Sequence, residues 1–138
     1  MTIHITGDIH SDISRLKEYK KTKAKDIVII AGDFGLLWNP KTTKAKLNEL
    51  ESLALQRDIE YLFIDGNHEN FSLLENLPIE ERYGGQVGKA HDHIYWLRRG
   101  EVYRIEGKVF FCFGGALSID RHFRSPFISW WPQEEPSA

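Results

Sequence analysis

Three short segments carry most of the reactive side chains: Gly7-Asp8-Ile9-His10, Gly32-Asp33 and Gly66-Asn67-His68-Glu69. Together they offer two carboxylates, a carboxamide and two imidazoles. This oxygen and nitrogen set suits Mn²⁺, Fe or Zn²⁺ better than Ca²⁺. Carboxylates also bridge pairs of ions, and two ions roughly 3.5–4 Å apart are a common device for in-line phosphoryl displacement. Taken singly, each segment reads as a turn or a solvated loop. Each, however, directly follows an apolar run, and that repetition is what marks the set.

The elements that must position these residues follow from the pattern. Thr2–Thr6, Asp26–Ala31 and Glu60–Ile64 read as strands, and the continuous apolar run from Ile27 to Ala31 suits a strand covered on both faces of a parallel sheet. Helices are expected from Asp12, as N-cap, to about Lys23 and from Thr42 or Thr43 to Gln56, where Leu47, Leu50, Leu53 and Ala54 share one stripe. A short helix is expected over Phe71–Glu75. Open parallel sheets bind ligands beyond the carboxyl ends of their strands, so Asp8, Asp33 and Asn67 should meet at one rim. Pro78 to Ala90 reads as loop, punctuated by Gly84, Gly85 and Gly88. Ile94–Leu97, Val102–Ile105 and Lys108–Phe113 then read as an antiparallel β-meander turning at Arg99-Gly100 and Glu106-Gly107. The expected fold class is α/β, with crossover helices first and the meander after them.

The chain has 138 residues, the size of one domain, and no linker divides it. A net charge of -2 argues against a dedicated nucleic-acid coat. No apolar stretch reaches the roughly 20 residues of a membrane span, and no signal peptide precedes Thr2. The lone cysteine, Cys112, fits a reducing compartment, so a cytoplasmic location is expected.

Those segments resemble the first three motifs of the calcineurin-like metallophosphoesterases. Leu97-Arg98-Arg99-Gly100-Glu101-Val102, Phe113-Gly114-Gly115-Ala116 and Ser129-Trp130-Trp131-Pro132 are similar to a bacterial and phage branch of that family, so the resemblance runs over nearly the whole chain. It implies the amino-terminal part of an αββα sandwich and hydrolysis of a phosphomonoester or phosphodiester by a metal-activated hydroxide. Residue by residue, it implies that Asp8 and His10 bind a first metal, Asp33 bridges two metals and Asn67 binds the second. His68 would assist the leaving group, and Glu69 would orient His68. The cofactors would be divalent ions, Mn²⁺ foremost, with Fe or Zn²⁺ as alternatives.

The family carries further histidines, one at a later strand end and then a Gly-His-x-His element, which do not occur before Ala138. The expectation is therefore a chain without the last ligands, whose second metal site is incomplete. The alternative function is an impaired or non-catalytic derivative acting in binding, or in homo-oligomerisation through an exposed sheet edge. The family's usual Arg after the second motif is absent, since the run is Gly32-Asp33-Phe34-Gly35. Arg121 and Arg124 are candidate substrate contacts, because the guanidinium suits bidentate phosphate binding. His91 and His93 have His-x-His spacing, but at the start of a strand, and read as loop histidines. His122 lies after a strand end facing the rim. The basic run from Arg15 to Lys25 reads as a solvated helix face.

Overall fold

The computed structural model describes residues 1–136. A six-stranded sheet runs in the order β1-β2-β3-β6-β5-β4, and a separate hairpin pairs β7 with β8 (β1, Ile3–Thr6; β2, Ile27–Ala31; β3, Glu60–Ile64; β4, Ile79–Arg82; β5, Gly85–His91; β6, Ile94–Leu97; β7, Val102–Ile105; β8, Lys108–Phe111). β1, β2, β3 and β6 are mutually parallel, with Ile5 opposite Ile29 and Ile29 opposite Leu62. Three helices join them: α1 (Ser14–Glu18), α2 (Thr43–Arg57) and α3 (Phe71–Leu74). The mixed α/β class and the strands of the first three units are as the apolar runs indicate.

The period of two divides the core between the two faces of the sheet. Val28, Ile30, Tyr61, Phe63 and Trp96 pack with Leu47, Leu50 and Leu53 of α2 on one face. Ile27, Ile29, Leu62, Tyr95 and Leu97 pack with Tyr103, Ile105 and Cys112 on the other. The hairpin thus covers the face that the helices leave open.

Three expectations are corrected. The first helix is only five residues long, not twelve. Arg57 on α2 donates to the carbonyls of Leu16, Lys17 and Tyr19 at 2.9, 2.6 and 2.8 Å. These are acceptors that a continuing helix would use, and Tyr19 is extended with ψ 105°. Asp12 does not cap as expected either; the N-cap is Ile13, and Asp12 accepts from the Ser14 backbone N–H at 3.1 Å.

Second, Pro78 to Ala90 is not a loop but the β4–β5 hairpin, turning at Tyr83 (φ 56°) and Gly84 (φ 79°). Two consecutive positive φ values make the tight turn whose twist matches antiparallel strands. The glycines that read as punctuation instead make room for rings. A Cβ on Gly85 would fall 2.9 Å from the Tyr103 ring, and one on Gly88 2.8 Å from the Trp96 ring.

Third, there is no single meander. β6 pairs parallel to β3, with Phe63 opposite Trp96, while β7 and β8 pair only with each other. All four β6 side chains are buried, which requires a central position, whereas β7 alternates exposed and buried.

No helix among the described residues is long and apolar enough to cross a membrane. β1 is an edge strand with Ile5 exposed, and Phe111, Phe113, Ile119 and Phe123 are also exposed.

Candidate metal centre

The three motif segments leave the carboxyl ends of β1, β2 and β3 and are stitched together by backbone. His10 N donates to Asp33 O and Ser11 N to Phe34 O, both at 2.9 Å, and Gly32 N donates to Ile64 O at 2.9 Å. His10, Ser11 and Asp33 all have positive φ (46°, 62° and 41°). Three such non-glycine residues together make a strained cluster held by these cross-loop bonds. Gly66 cannot be anything else: a Cβ there would fall 2.0 Å from Asp33 Oδ1 and 2.4 Å from Asp33 N.

Asp33 is the hub. Its Oδ1 accepts from the His68 backbone N–H at 2.9 Å, and its Oδ2 accepts from His68 Nδ1 at 2.9 Å. A carboxylate can only accept, so the proton sits on Nδ1 and Nε2 is left to face outward. His10 Nε2 lies 3.5 Å from the same Oδ2 and 3.8 Å from Asp8 Oδ2. These separations are close to those between ligands around an ion bound at about 2.0–2.2 Å to each. The side chains that converge closely enough to share a divalent ion are His10, Asp33 and His68, all within 4.8 Å of one another, with Asp8 beside them through His10. Asp33 is buried while Asp8 and His10 are exposed, which leaves that side of the cluster open to solvent.

The Nδ2 of Asn67 donates to Ser118 Oγ at 3.0 Å, leaving its oxygen uncommitted. Ser118 in turn donates to Glu134, which is fully buried and paired with Arg124. Arg124 is thereby engaged inside the carboxyl-terminal segment rather than free at the rim. Arg121 lies over the Trp130 ring, 4.0 Å from its centroid, with Glu135 3.8 Å away.

Glu69 does not orient His68. It is buried and accepts three backbone N–H groups, from Phe34 at 3.1 Å, Gly35 at 2.7 Å and Gly66 at 3.1 Å. It therefore ties the loop after β2 to the loop after β3, and Asp33 takes the orienting place expected of it. Burial pushes the Glu69 carboxyl up to about 8, against the opposing pull of those three donors.

The chain's match to the family model described as calcineurin-like phosphoesterase runs over residues 1–137. The chain belongs to this family. Neither the curated proteins nor the solved structures gave a match. Membership of the calcineurin-like phosphoesterases makes the chain a metal-dependent phosphoesterase at the level of the family, with divalent ions as cofactors and phosphate esters as substrates.

Other histidines go elsewhere. His91 ends β5 and His93 immediately precedes β6, at the end of the sheet away from the rim, where Nδ1 of each reaches Glu51 Oε1 at 3.3 and 2.6 Å. Glu51, His91 and Asp92 form the second group among the described residues close enough to share an ion. His4 bonds Asp26 at 2.8 Å and Tyr19 Oη at 2.9 Å, and His122 is exposed on a single 3₁₀ turn. Sequence reading missed Asp65, which is buried and joins β3 to the later segment: it accepts from Trp96 Nε1 at 3.0 Å and Arg99 Nε at 2.8 Å. Only its place two residues before Asn67 pointed to it.

Proposed function

We propose that residues 1–138 form one catalytic domain that hydrolyses a phosphomonoester or phosphodiester. The observation that supports this most is the meeting of Asp8, His10, Asp33 and His68 from three separate strand ends. Asp8, His10 and Asp33 would hold the first divalent ion, Mn²⁺ foremost, and Asn67 would contribute its oxygen to a second. When bound, the ions activate water and offset charge on the phosphoryl oxygens.

The remaining work falls to this chain's side chains. Asp33 fixes the His68 ring through Nδ1–H and offsets the charge of its imidazolium form, in which Nε2 carries the second proton and directs it towards the leaving oxygen. As the water oxygen bonds to phosphorus, the ester P–O bond breaks and the leaving oxygen takes that proton. Glu69 keeps the loops after β2 and β3 in register. Arg121 remains a candidate substrate contact, while Arg124, paired with Glu134, acts through Ser118 and Asn67. The buried, unpaired Cys112 accords with a reducing compartment such as the cytoplasm.

The test is hydrolysis of mono- and bis-nitrophenyl phosphate with excess Mn²⁺. Activity in the parent and its loss in His68→Ala and Asp33→Asn support the reading. Equal rates in all three would identify a contaminant. The exposed Phe111, Phe113, Ile119 and Phe123 favour a second reading, in which the fold acts by self-association. A monomer by light scattering at all concentrations would dismiss it.

A further inference from the structure

A pocket of about 250 Å³ opens beside His10 and His68, between the loops after β1 and β2 and the start of α2. Ser11, Leu36, Trp38, Thr42 and Lys46 line it together with the two histidines. Its chemistry is opposite to that of the metal centre next to it. The centre is rich in carboxylates, whereas among the described residues the pocket walls contain none.

Lys46 supplies the pocket's permanent positive charge. It sits in the first turn of α2, half-buried, with Nζ 3.0 Å from Ser11 Oγ. Among the described residues it is in no ion pair, whereas Lys17 pairs with Glu49, on the same helix as Lys46. A half-buried ammonium with only a hydroxyl as partner has lost water without gaining a counter-charge. Ser11 is held beside it by its backbone bond to Phe34 O, and Gly35 allows this close approach: a Cβ there would fall 2.9 Å from Ser11 N. The aromatic wall is equally fixed. Trp38 stands edge-on to the buried Trp131 with centroids 5.5 Å apart, and Trp131 Nε1 donates to Ser72 Oγ at 2.9 Å.

We infer that this pocket is the leaving-group subsite and that Lys46 with Ser11 binds an anionic group carried by the leaving group, a second phosphate, while Trp38 lies against an attached ring. The substrate class is then a phosphate ester whose leaving group is itself a phosphorylated ring compound, such as a nucleotide. The assignment to the leaving-group side rests on His68 acting at the leaving oxygen. The anion site itself rests on the pocket alone.

AMP and adenosine are the probes, titrated calorimetrically into the full-length protein in EDTA. AMP should bind the parent, and Lys46→Ala should weaken it about tenfold, the weight of one hydrogen bond to a charged group. Lys46→Arg should retain AMP, and adenosine affinity should be the same in parent and Lys46→Ala. Lys44→Ala, on the exposed side of the same turn, should change nothing. With Mn²⁺, Lys46→Ala should lose more kcat/KM on adenosine 3′,5′-bisphosphate, whose 3′-ester bond breaks to leave AMP as the alcohol, than on p-nitrophenyl phosphate. Equal AMP affinity in the parent and a folded Lys46→Ala, or no AMP binding by the parent, overturns the subsite. If AMP binding depends on Lys46 but the parent hydrolyses neither ester, the anion site stands and the phosphoesterase reading fails.

Discussion

Asp33 grips His68 twice, through the backbone N–H and through Nδ1, each at 2.9 Å, and the second bond uses the same oxygen that lies 3.5 Å from His10 Nε2. One buried carboxylate thus lies against both His68 and His10. The two functions separate by mutation. His68→Ala should lower kcat roughly 10²–10⁴-fold, the usual weight of a positioned acid, while one Mn²⁺ per chain is retained. Asp33→Asn should lose both, because an amide cannot accept at two atoms. Elemental analysis beside the kinetics checks this, and a His68→Ala protein empty of metal would refute the separation.

Gly66 is the steric key to that grip. Gly66→Ala places a methyl 2.0 Å from Asp33 Oδ1. The expected cost is about 1–3 kcal/mol, as for overpacking in a core, together with loss of metal binding. Gly84→Ala, in the β4–β5 turn with nothing within 4 Å of its Cβ, should cost about 1–2 kcal/mol from its positive φ alone and leave metal binding intact. Urea unfolding and metal titration of both variants make the comparison.

Asn67 depends on a relay from far along the chain. Ser118 accepts its Nδ2–H at 3.0 Å and is itself held by buried Glu134. Ser118→Ala should therefore weaken the second, looser ion roughly 10–100-fold, the usual effect of removing a partner behind a ligand. The first ion, on Asp8, His10 and Asp33, should be unaffected. A Mn²⁺ titration showing the tighter step weakened instead would contradict the assignment of Asn67.

Asp26 should make stability fall in acid. The side chain of His4 and the backbone N–H groups of Lys23 and Thr2 hold its carboxyl well below the usual range. A depressed native pKa stabilises the fold fully above the ordinary aspartate value of about 3.9. As pH falls below that, the unfolded chain takes up the proton first, and the stabilisation is lost towards the native value. The urea midpoint of the parent should drop below about pH 4. Asp26→Asn should start lower at pH 7 and converge with the parent in acid. Parallel curves would show that Asp26 contributes nothing to this dependence.

The sequence by itself determined the parts whose burial is complete and local. Ile27–Ile30 and Tyr61–Phe63 are buried on both faces, and such runs have no other stable place than inside a parallel sheet. With the strands in place, Gly7-Asp8, Gly32-Asp33 and Gly66-Asn67 had to arrive at one rim, so the candidate ligands were legible before any coordinates. The tertiary structure decided everything that depends on a partner far away in the chain. The first helix stops because Arg57 takes its carbonyls, and Gly85 and Gly88 belong to strands because Tyr103 and Trp96 lie over them. Glu69 points at three backbone N–H groups rather than at His68, and Lys46, an ordinary helix lysine in sequence, faces the histidines across Ser11. A side chain's type fixes what it can bond, but only the packed fold fixes which of its possible partners lies within 3 Å.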